Sequence, residues 1–516
     1  MLRRRERGDF VSPVQGELKQ LLRQSSHYLT GLLASLALGF ISFPIFTRLF
    51  SVADFGLIDF TQKIILLAVA LSKCGLQNSA LRFYSRDSFE TNEEAARRYY
   101  STMFFSVAMA SVVVTLLFAV AVRLAPRSIV DAGLGAILIL AAGLIFLRAL
   151  QSMLWSFLRI EERTKTYNAV STLMRAATIA GVCALLPWFG ASIRTYFIGT
   201  LIVEAIVTGA LILPLFRRGL AKPAQVDQVM MRAAFAFGMP LIVQELAGLV
   251  LDSGDRVVIR HFLGDHALGL YSVAYGLSGY VNTLLMVPLG LAILPLYMKI
   301  WTREGQAKTI EFLTAGFDAF LIVAGLILVL AAVSAHDAVL LMASARYAGA
   351  DRLIPILVAG LLTYTAQVFL NAGLLIHKRT GTMASILVGS AVLNILLNWF
   401  FVPYSGLQAS ALATLAAYFV CTIWLAFASF RLMPLRISIR ALVKYGLAAA
   451  LAWTVAAAID LGAPLLNLAA KGAVAAAIYF LLLYAIDARI RRWSLLLFRI
   501  VRRDSRAAAF AMSASD

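Results

Sequence analysis

Apolar stretches of bilayer length follow one another along almost the whole chain, and little else can be built from such a sequence. A hydrocarbon core ~30 Å thick takes about 20 helical residues to cross. Inside it, a helix is viable because it satisfies its own backbone N–H and C=O groups. Fourteen such stretches are legible between residues 27 and 487 of the 516-residue chain, whose mean hydropathy is +0.83. The expected fold class is an all-α polytopic membrane protein with about 14 transmembrane helices. Boundaries soften near 334–352, where His336 to Ala343 reads as a short extra helix before a polar bend at Ser344–Asp351.

Basic residues set the orientation, because Lys and Arg accumulate in cytoplasmic loops. With the N-terminus inside, 33 of the 46 Lys and Arg fall on the cytoplasmic side, and only 7, including Arg48, Arg123, Arg260 and Arg346, fall opposite. That split predicts an N-in, C-in topology. It also absorbs the net charge of +19 that would otherwise suggest nucleic acid. No soluble module remains to bind DNA or RNA, so no nucleic-acid partner is expected. Residues 489–503 mix basic side chains with Trp493, Leu495 and Phe498, and read either as an in-plane helix on anionic lipid or as a frayed basic tail. Residues 507–516 read as disordered. Cys74, Cys183 and Cys421 all fall in predicted spans, so neither a disulfide framework nor a metal site is expected. The first apolar helix follows mostly polar residues without a convincing cleavage site, and is expected to remain as the first span.

Charged side chains are stranded inside these spans. Lys63, Lys73, Arg148 and Arg175 lie in the first half, and Glu245, Asp252, Asp255 and Asp318 in the second, with Glu204, Arg256 and Lys471 completing the set. A charge at the bilayer centre costs at least ~2.5–3.5 kcal/mol on insertion scales, so such residues face a bundle interior or a watery cavity. One cationic and one acidic half-cavity read as a transporter of an anion, with a cation coupled to it.

A weak internal repeat supports two halves. The sequence R-L-F-S-V-A-D-F-G-L (Arg48 to Leu57) follows the first span, and R-H-F-L-G-D-H-A-L-G-L (Arg260 to Leu270) follows the seventh. With one insertion, Arg48 aligns with Arg260, Phe50 with Phe262 and Gly56 with Gly269. Both spans leave the same side, so the repeat is parallel. The expected organisation is a cytoplasmic segment (1–26), an N-lobe of six helices (27–217), a linker (218–232), a C-lobe of six helices (233–431), two further helices (439–487) and a basic cytoplasmic tail (488–516).

Two stretches carry a family resemblance. F-P-I-F-T-R-L-F-S-V-A-D-F-G-L (Phe43 to Leu57) with G-L-Q-N-S-A-L-R-F-Y (Gly75 to Tyr84) resembles the opening of bacterial polysaccharide transporters. These are the O-antigen (Wzx-type) flippases of the multidrug/oligosaccharidyl-lipid/polysaccharide (MOP) superfamily. D-R-V-V-I-R-H-F-L-G-D-H-A-L-G-L-Y-S-V-A-Y (Asp255 to Tyr275) is similar to that family's junction of seventh and eighth helices. The resemblance implies a flippase that moves an undecaprenyl-pyrophosphate-linked oligosaccharide from the cytoplasmic to the periplasmic leaflet by alternating access. It implies a multi-pass protein of the bacterial inner membrane, a monomer among membrane lipids, with a polysaccharide polymerase or export complex as candidate partner. No cofactor is expected beyond coupling to a Na⁺ or H⁺ gradient.

Lys63 and Lys73 sit ~15 Å apart along the second helix and could serve as successive stations for a pyrophosphate. Lys63 has a structural alternative, a pair with Asp59 one turn earlier. Arg148 and Arg175 lie too deep to snorkel, and Glu204 is expected to neutralise one of them, Arg175 being the favoured partner. Arg48 ends the first helix as an exit-gate cation or a snorkelling residue, and Lys471 reads as snorkelling. In the second half, Glu245, Asp252 and Arg256 share a helix face and Asp255 lies one turn from Asp252. Asn394 and Asn398, at i, i+4, share a face of the eleventh span. With Thr414 on the twelfth, they resemble the cation site of lipid II flippases, except that Asn398 carries no charge. The structural alternative is an Asp252–Arg256 or Asp255–Arg256 pair holding helices together. Gln367 and Asn371 line the lumen or bond a neighbour. Pro44, Pro240, Pro288, Pro295 and Pro355 read as kinks, with a strongly bent eighth helix.

Catalytic motifs are absent: the five His are scattered and no P-loop appears, so no enzymatic role is expected. Two other readings compete with the flippase. An organic-cation exporter of the same superfamily predicts an acidic first half, and a membrane glycan polymerase or ligase predicts a large periplasmic loop.

Overall fold

The computed structural model describes residues 31, 33–85, 92–127, 130–487 and 490–491. The segment 1–26, nearly all of the in-plane helix expected at 489–503 and the tail 507–516 lie outside the described residues. Those described form helices and connecting turns, without strands. Nine helices among them are long and apolar enough to cross a membrane by length and composition.

In chain order the first six longer helices are α1 (Leu33–Leu49), α2 (Val52–Lys73) with its short continuation α3 (Leu76–Phe83), α4 (Glu93–Leu124), α5 (Ala132–Ile160), α6 (Thr164–Phe189) and α7 (Ile193–Arg217). Then come α8 (Gln228–Ser253), α9 (Asp255–Val281) and α10 (Val287–Met342), followed by α11 (Ile354–Thr365), α12 (Gln367–Leu370) and α13 (Ala372–Ile376). The chain closes with α14 (Thr380–Phe430), α15 (Ile439–Ala457) and α16 (Pro464–Ile486). Short polar side chains start many of them: Ser51, Asn92, Asp131, Ser192, Asp227 and Ser438 each accept from a backbone N–H of the first turn.

Three helices run past the expected span ends and break instead at glycine. Gly264, Gly305 and Gly406 have φ of 80°, 80° and 62°, a left-handed backbone that only glycine takes without cost. They interrupt α9, α10 and α14 at or beside the boundaries expected between spans. The bend expected from Pro288 begins as a π turn at Asn282–Met286, just ahead of the proline. Proline cannot donate to the carbonyl one turn earlier, and a widened turn absorbs the mismatch. The separate helix expected at His336 to Ala343 is not formed. Residues 336–342 continue α10, because apolar side chains carry the helical register through that turn.

The chain divides into two compact units. Among the described residues, the first takes in those up to 276, 342–347 and 379–421; the second takes in 277–341, 348–378 and those from 422 on. In the first unit, one core gathers Leu76, Tyr99, Tyr100, Met103, Met153 and Phe157, and another gathers Phe50, Ile58, Ile65, Ile137, Leu144 and Phe197. Arg346 reaches the last carbonyls of α1, donating to Thr47 O (3.0 Å) and Arg48 O (2.7 Å), a cation at a helix C-terminus.

In the second unit, Ile322, Val329 and Val333 of α10 pack with Tyr445, Ala448 and Ala452 of α15 and Tyr479 of α16. Lys471 does not snorkel as expected. Its Nζ lies 2.8 Å from Asp337 Oδ2, and Asn467 donates to Asp337 Oδ1 (3.2 Å), a buried clasp between α16 and α10. Asp318 is buried within α10.

Candidate functional site

The charged residues of the first unit form a seam. Along α2 and α3, partners on α8 and α9 fall in number as those on α2 rise, so the two run antiparallel. Asp59 accepts from Arg256 Nε (2.9 Å), Lys63 donates to Asp252 Oδ2 (3.1 Å) and Lys73 pairs with Glu245. Gln77 adds a bond to Glu245 (3.2 Å), and Ser79 donates to Ala234 O (2.7 Å). The three ion pairs extend over ~21 Å of α2 at ~1.5 Å per residue, most of a hydrocarbon core.

Glycine lets the backbones meet below the last pair. A Cβ on Gly75 would lie 2.2 Å from Gly238 O, and one on Gly238 would lie 2.5 Å from Cys74 O. Small residues at such crossings are the usual means of close helix contact in membranes. At the other end, Gly56 packs on Gly269, whose Cβ would fall 2.0 Å from Val52 O. Ser272 donates to Asp59 (2.9 Å) beside it. Gly56 and Gly269 are the positions that the repeat aligns, and Asp59 and Ser272 follow in the same register.

Pairing differs from the expectation in two places. Lys63 does not take Asp59 within its own helix; each reaches α8 or α9 instead, Asp59 accepting from Arg256 Nε and Lys63 donating to Asp252. Glu204 goes to Arg148, not Arg175. Arg148 Nε lies 3.1 and 3.0 Å from the two Glu204 oxygens, and its Nη1 donates to Gln62 Oε1 (2.6 Å), while Gln62 Nε2 donates to Tyr196 OH (3.2 Å). Arg175, on α6, is exposed and reaches Ser35 O at 3.4 Å. Arg48 bends back to Pro44 O (3.2 Å) at the exposed end of α1.

Among the described residues, Asp255 and Arg256 are the most deeply buried charges, at 0% and 1% exposure. Asp255 accepts from Arg256 Nη1 (3.2 Å), Thr414 Oγ1 (3.2 Å) and Tyr271 OH. Asn394 Nδ2 faces Thr414 Oγ1 (3.4 Å), and Asn398 donates to Asn394 O (2.8 Å) while accepting from Ser410 (2.6 Å). The candidate coupling residues therefore separate. Asp255, Thr414, Asn394 and Asn398 come together, whereas Glu245 and Asp252 face lysines of α2.

The donor set around Asp255 does not fit a sodium ion as arranged. Both carboxylate oxygens already accept from protein donors, Asn398 Oδ1 is taken by Ser410, and the Arg256 guanidinium supplies the positive charge. At the exposed end of the seam, Arg260 donates to Asp131 (2.8 Å) and to Asp265 (2.9 Å). Backbone donation from Leu134, and then Arg260, hold the Asp131 carboxyl below its ordinary range.

Residues that sequence reasoning passes over include Gln62, Gln77, Tyr271, Ser272 and Tyr275, the last donating to Asp252 (2.6 Å). Asp59 reads from sequence only as a local partner. A signal is present all the same: the second span carries −, +, + at Asp59, Lys63 and Lys73, and the seventh carries the opposite signs in reverse order at Arg256, Asp252 and Glu245. Gln367 bonds Thr422 (3.0 Å) within the second unit.

This fold is shared with solved membrane transporters and flippases. The structure titled lipid II flippase MurJ, inward closed conformation, superposes with a TM-score of 0.71 at 14% identity, covering 90% of this chain and 98% of that one. An inward-facing multidrug resistance MATE family transporter of the MOP superfamily gives 0.59 at 12% identity, over 76% and 93%. A point mutant of the Vibrio cholerae MATE transporter VcmN gives 0.56 at 12% identity, over 80% and 96%. The class is thus a multi-pass membrane protein with the fold of the MOP superfamily. No curated protein matched the sequence. The chain belongs to the polysaccharide biosynthesis protein family, whose model matches residues 21–301.

Proposed function

We propose that the protein is a flippase carrying an undecaprenyl-pyrophosphate-linked oligosaccharide, an O-antigen, capsule or exopolysaccharide repeat unit, from the cytoplasmic to the periplasmic leaflet of the bacterial inner membrane. One observation carries the reading: in a member of a polysaccharide biosynthesis family, Lys63, Lys73 and Arg148 lie on membrane-length apolar helices of one compact unit. A diphosphate bridge is a double anion, and ammonium and guanidinium groups in a low-dielectric setting are its natural partners. Alternating access of two six-helix lobes, with fourteen spans in all, is the motion we assign. The transporter acts as a monomer, with a polysaccharide polymerase as its downstream partner. We assign Arg48 and Arg175 to the same route as outer cations.

The fold's presence in multidrug transporters supports an organic-cation exporter as the second reading. Depletion of the protein in its own cells separates the two. The flippase reading expects pyrophosphate-linked glycan to accumulate on the cytoplasmic leaflet while cationic dye retention stays normal. Normal glycan export with raised dye retention would replace it by the exporter.

A further inference from the structure

We propose that the lysine–carboxylate pairs of the seam are proton-exchange stations: an anionic diphosphate headgroup takes Lys63 or Lys73, and the carboxylate it displaces, Asp252 or Glu245, takes up a proton. The inference rests on the flippase reading and supplies its coupling chemistry.

The seam holds two kinds of ion pair. Arg148 grips Glu204 through a fork and is tied to Gln62 besides. Arg256 is 1% exposed and bonded to Asp59, Asp255 and the Asp252 carbonyl. Neither can leave its partner without stranding a buried charge. The lysines differ, each holding its carboxylate by one contact. The side chains of the two pairs are also partly exposed, 24% and 32% for Lys63–Asp252 and 15% and 30% for Lys73–Glu245. Lysine is a compact point charge on a flexible stem, able to swing from one oxygen to another. The exchangeable cations are therefore the lysines.

Charge balance then dictates the proton. Glu245 is faced by Lys73 and Gln77 from α2 and α3. Asp252 is faced by Lys63 from α2, Tyr275 from α9 with Tyr418 of α14 behind it, and the neighbouring Arg256, which Asp59 and Asp255 already claim. Among the described residues, Glu245 meets no cation but Lys73, and Asp252 has beside Lys63 only an Arg256 held by two other carboxylates. An ionised carboxylate left without its cation at membrane depth is costly enough that it takes a proton instead. The proton bond forms on the carboxylate as the lysine contact passes to a phosphate oxygen, so the proton taken from solvent offsets one of the two negative charges that the diphosphate brings. The stations lie ~15 Å apart, too far for one diphosphate to bridge, so the exchange occurs at one station at a time. Releasing the headgroup reverses it and returns the proton.

The test is headgroup binding to the purified full chain in nanodiscs. The probe is a polyprenyl-pyrophosphate-linked monosaccharide, a diester whose phosphates stay ionised throughout, with polyprenyl alcohol as control. Proton uptake is read by calorimetry in buffers of differing ionisation enthalpy, together with Kd against pH. The exchange expects about one proton taken up per headgroup and Kd rising roughly tenfold per pH unit wherever that uptake is seen. It expects the double variant Glu245→Gln with Asp252→Asn to bind with no uptake and a flat Kd. Each single variant, nearly isosteric and able to keep a lysine contact, guards against misfolding of the double one. Binding without proton uptake in the wild type overturns the exchange and leaves the flippase reading standing. No pyrophosphate-dependent binding overturns both.

Discussion

Arg256→Met gives the sharpest test of how the seam is held. The guanidinium sits 2.9 Å from Asp59 Oδ2 and 3.2 Å from Asp255 Oδ1, with 1% exposure. At an effective dielectric of about 20, each contact corresponds to roughly 5 kcal/mol of Coulomb attraction, most of it offset by desolvation. What the variant exposes is the other side of that balance. Methionine fills much of the volume but leaves Asp255, with 0% exposure, without its cation. Breaking a buried pair from one side costs about 3–5 kcal/mol. Lys63→Met should cost less, about 1–2 kcal/mol, because solvent screens a partly exposed pair. Neutralising the stranded acid as well, with Arg256→Met plus Asp255→Asn, should recover more than half of the loss. Thermal unfolding of the purified variants in nanodiscs reads the order directly. The reasoning fails if Arg256→Met melts with the wild type, or if the double variant is no better than the single.

Three further outcomes are expected. Gly238→Ala forces a Cβ to within 2.5 Å of Cys74 O, so it should lower folded yield and melting temperature more than Gly279→Ala, which meets open space; equal behaviour would deny the close crossing. Asp337→Asn and Lys471→Met should each destabilise the protein, and the two together should be milder than the worse single change, as a double-mutant cycle on unfolding will show. Asp131 has a lowered folded-state pKa, so its contribution is complete above the ordinary carboxylate value of about 3.9 and is lost as pH falls through the lowered one. Asp131→Asn should therefore flatten the acid limb of the stability–pH curve; an unchanged limb would remove that role from the Asp131–Arg260 bridge.

Much of the fold was legible because each layer of it follows from one-dimensional pattern. Apolar length marks the helices, and Gly264, Gly305 and Gly406 break the long ones close to where hydropathy places the boundaries. Thr414 does meet Asp255, with Asn394 facing Thr414 in turn, and the Gly56–Gly269 alignment turns out to mark a contact. Pairing was harder. Lys63 and Asp59 satisfy the local i, i+4 rule, yet tertiary packing offers both better partners. Lys471 sits near a helix end where snorkelling is the sound default, and only the position of Asp337 on another helix overrides it. Glu204 pairs with Arg148 of one neighbouring helix and not with Arg175 of another, a choice of packing that composition does not encode.

Leaflet transfer by the purified protein in liposomes tests the central claim most directly, using an undecaprenyl-pyrophosphate-linked oligosaccharide with and without imposed Na⁺ and proton gradients. The account predicts transfer that requires the pyrophosphate, is lost in Lys73→Met and Arg148→Ala, and responds to the proton gradient. Transfer of a neutral polyprenyl glycan at the same rate, or undiminished transfer by both variants, would contradict it.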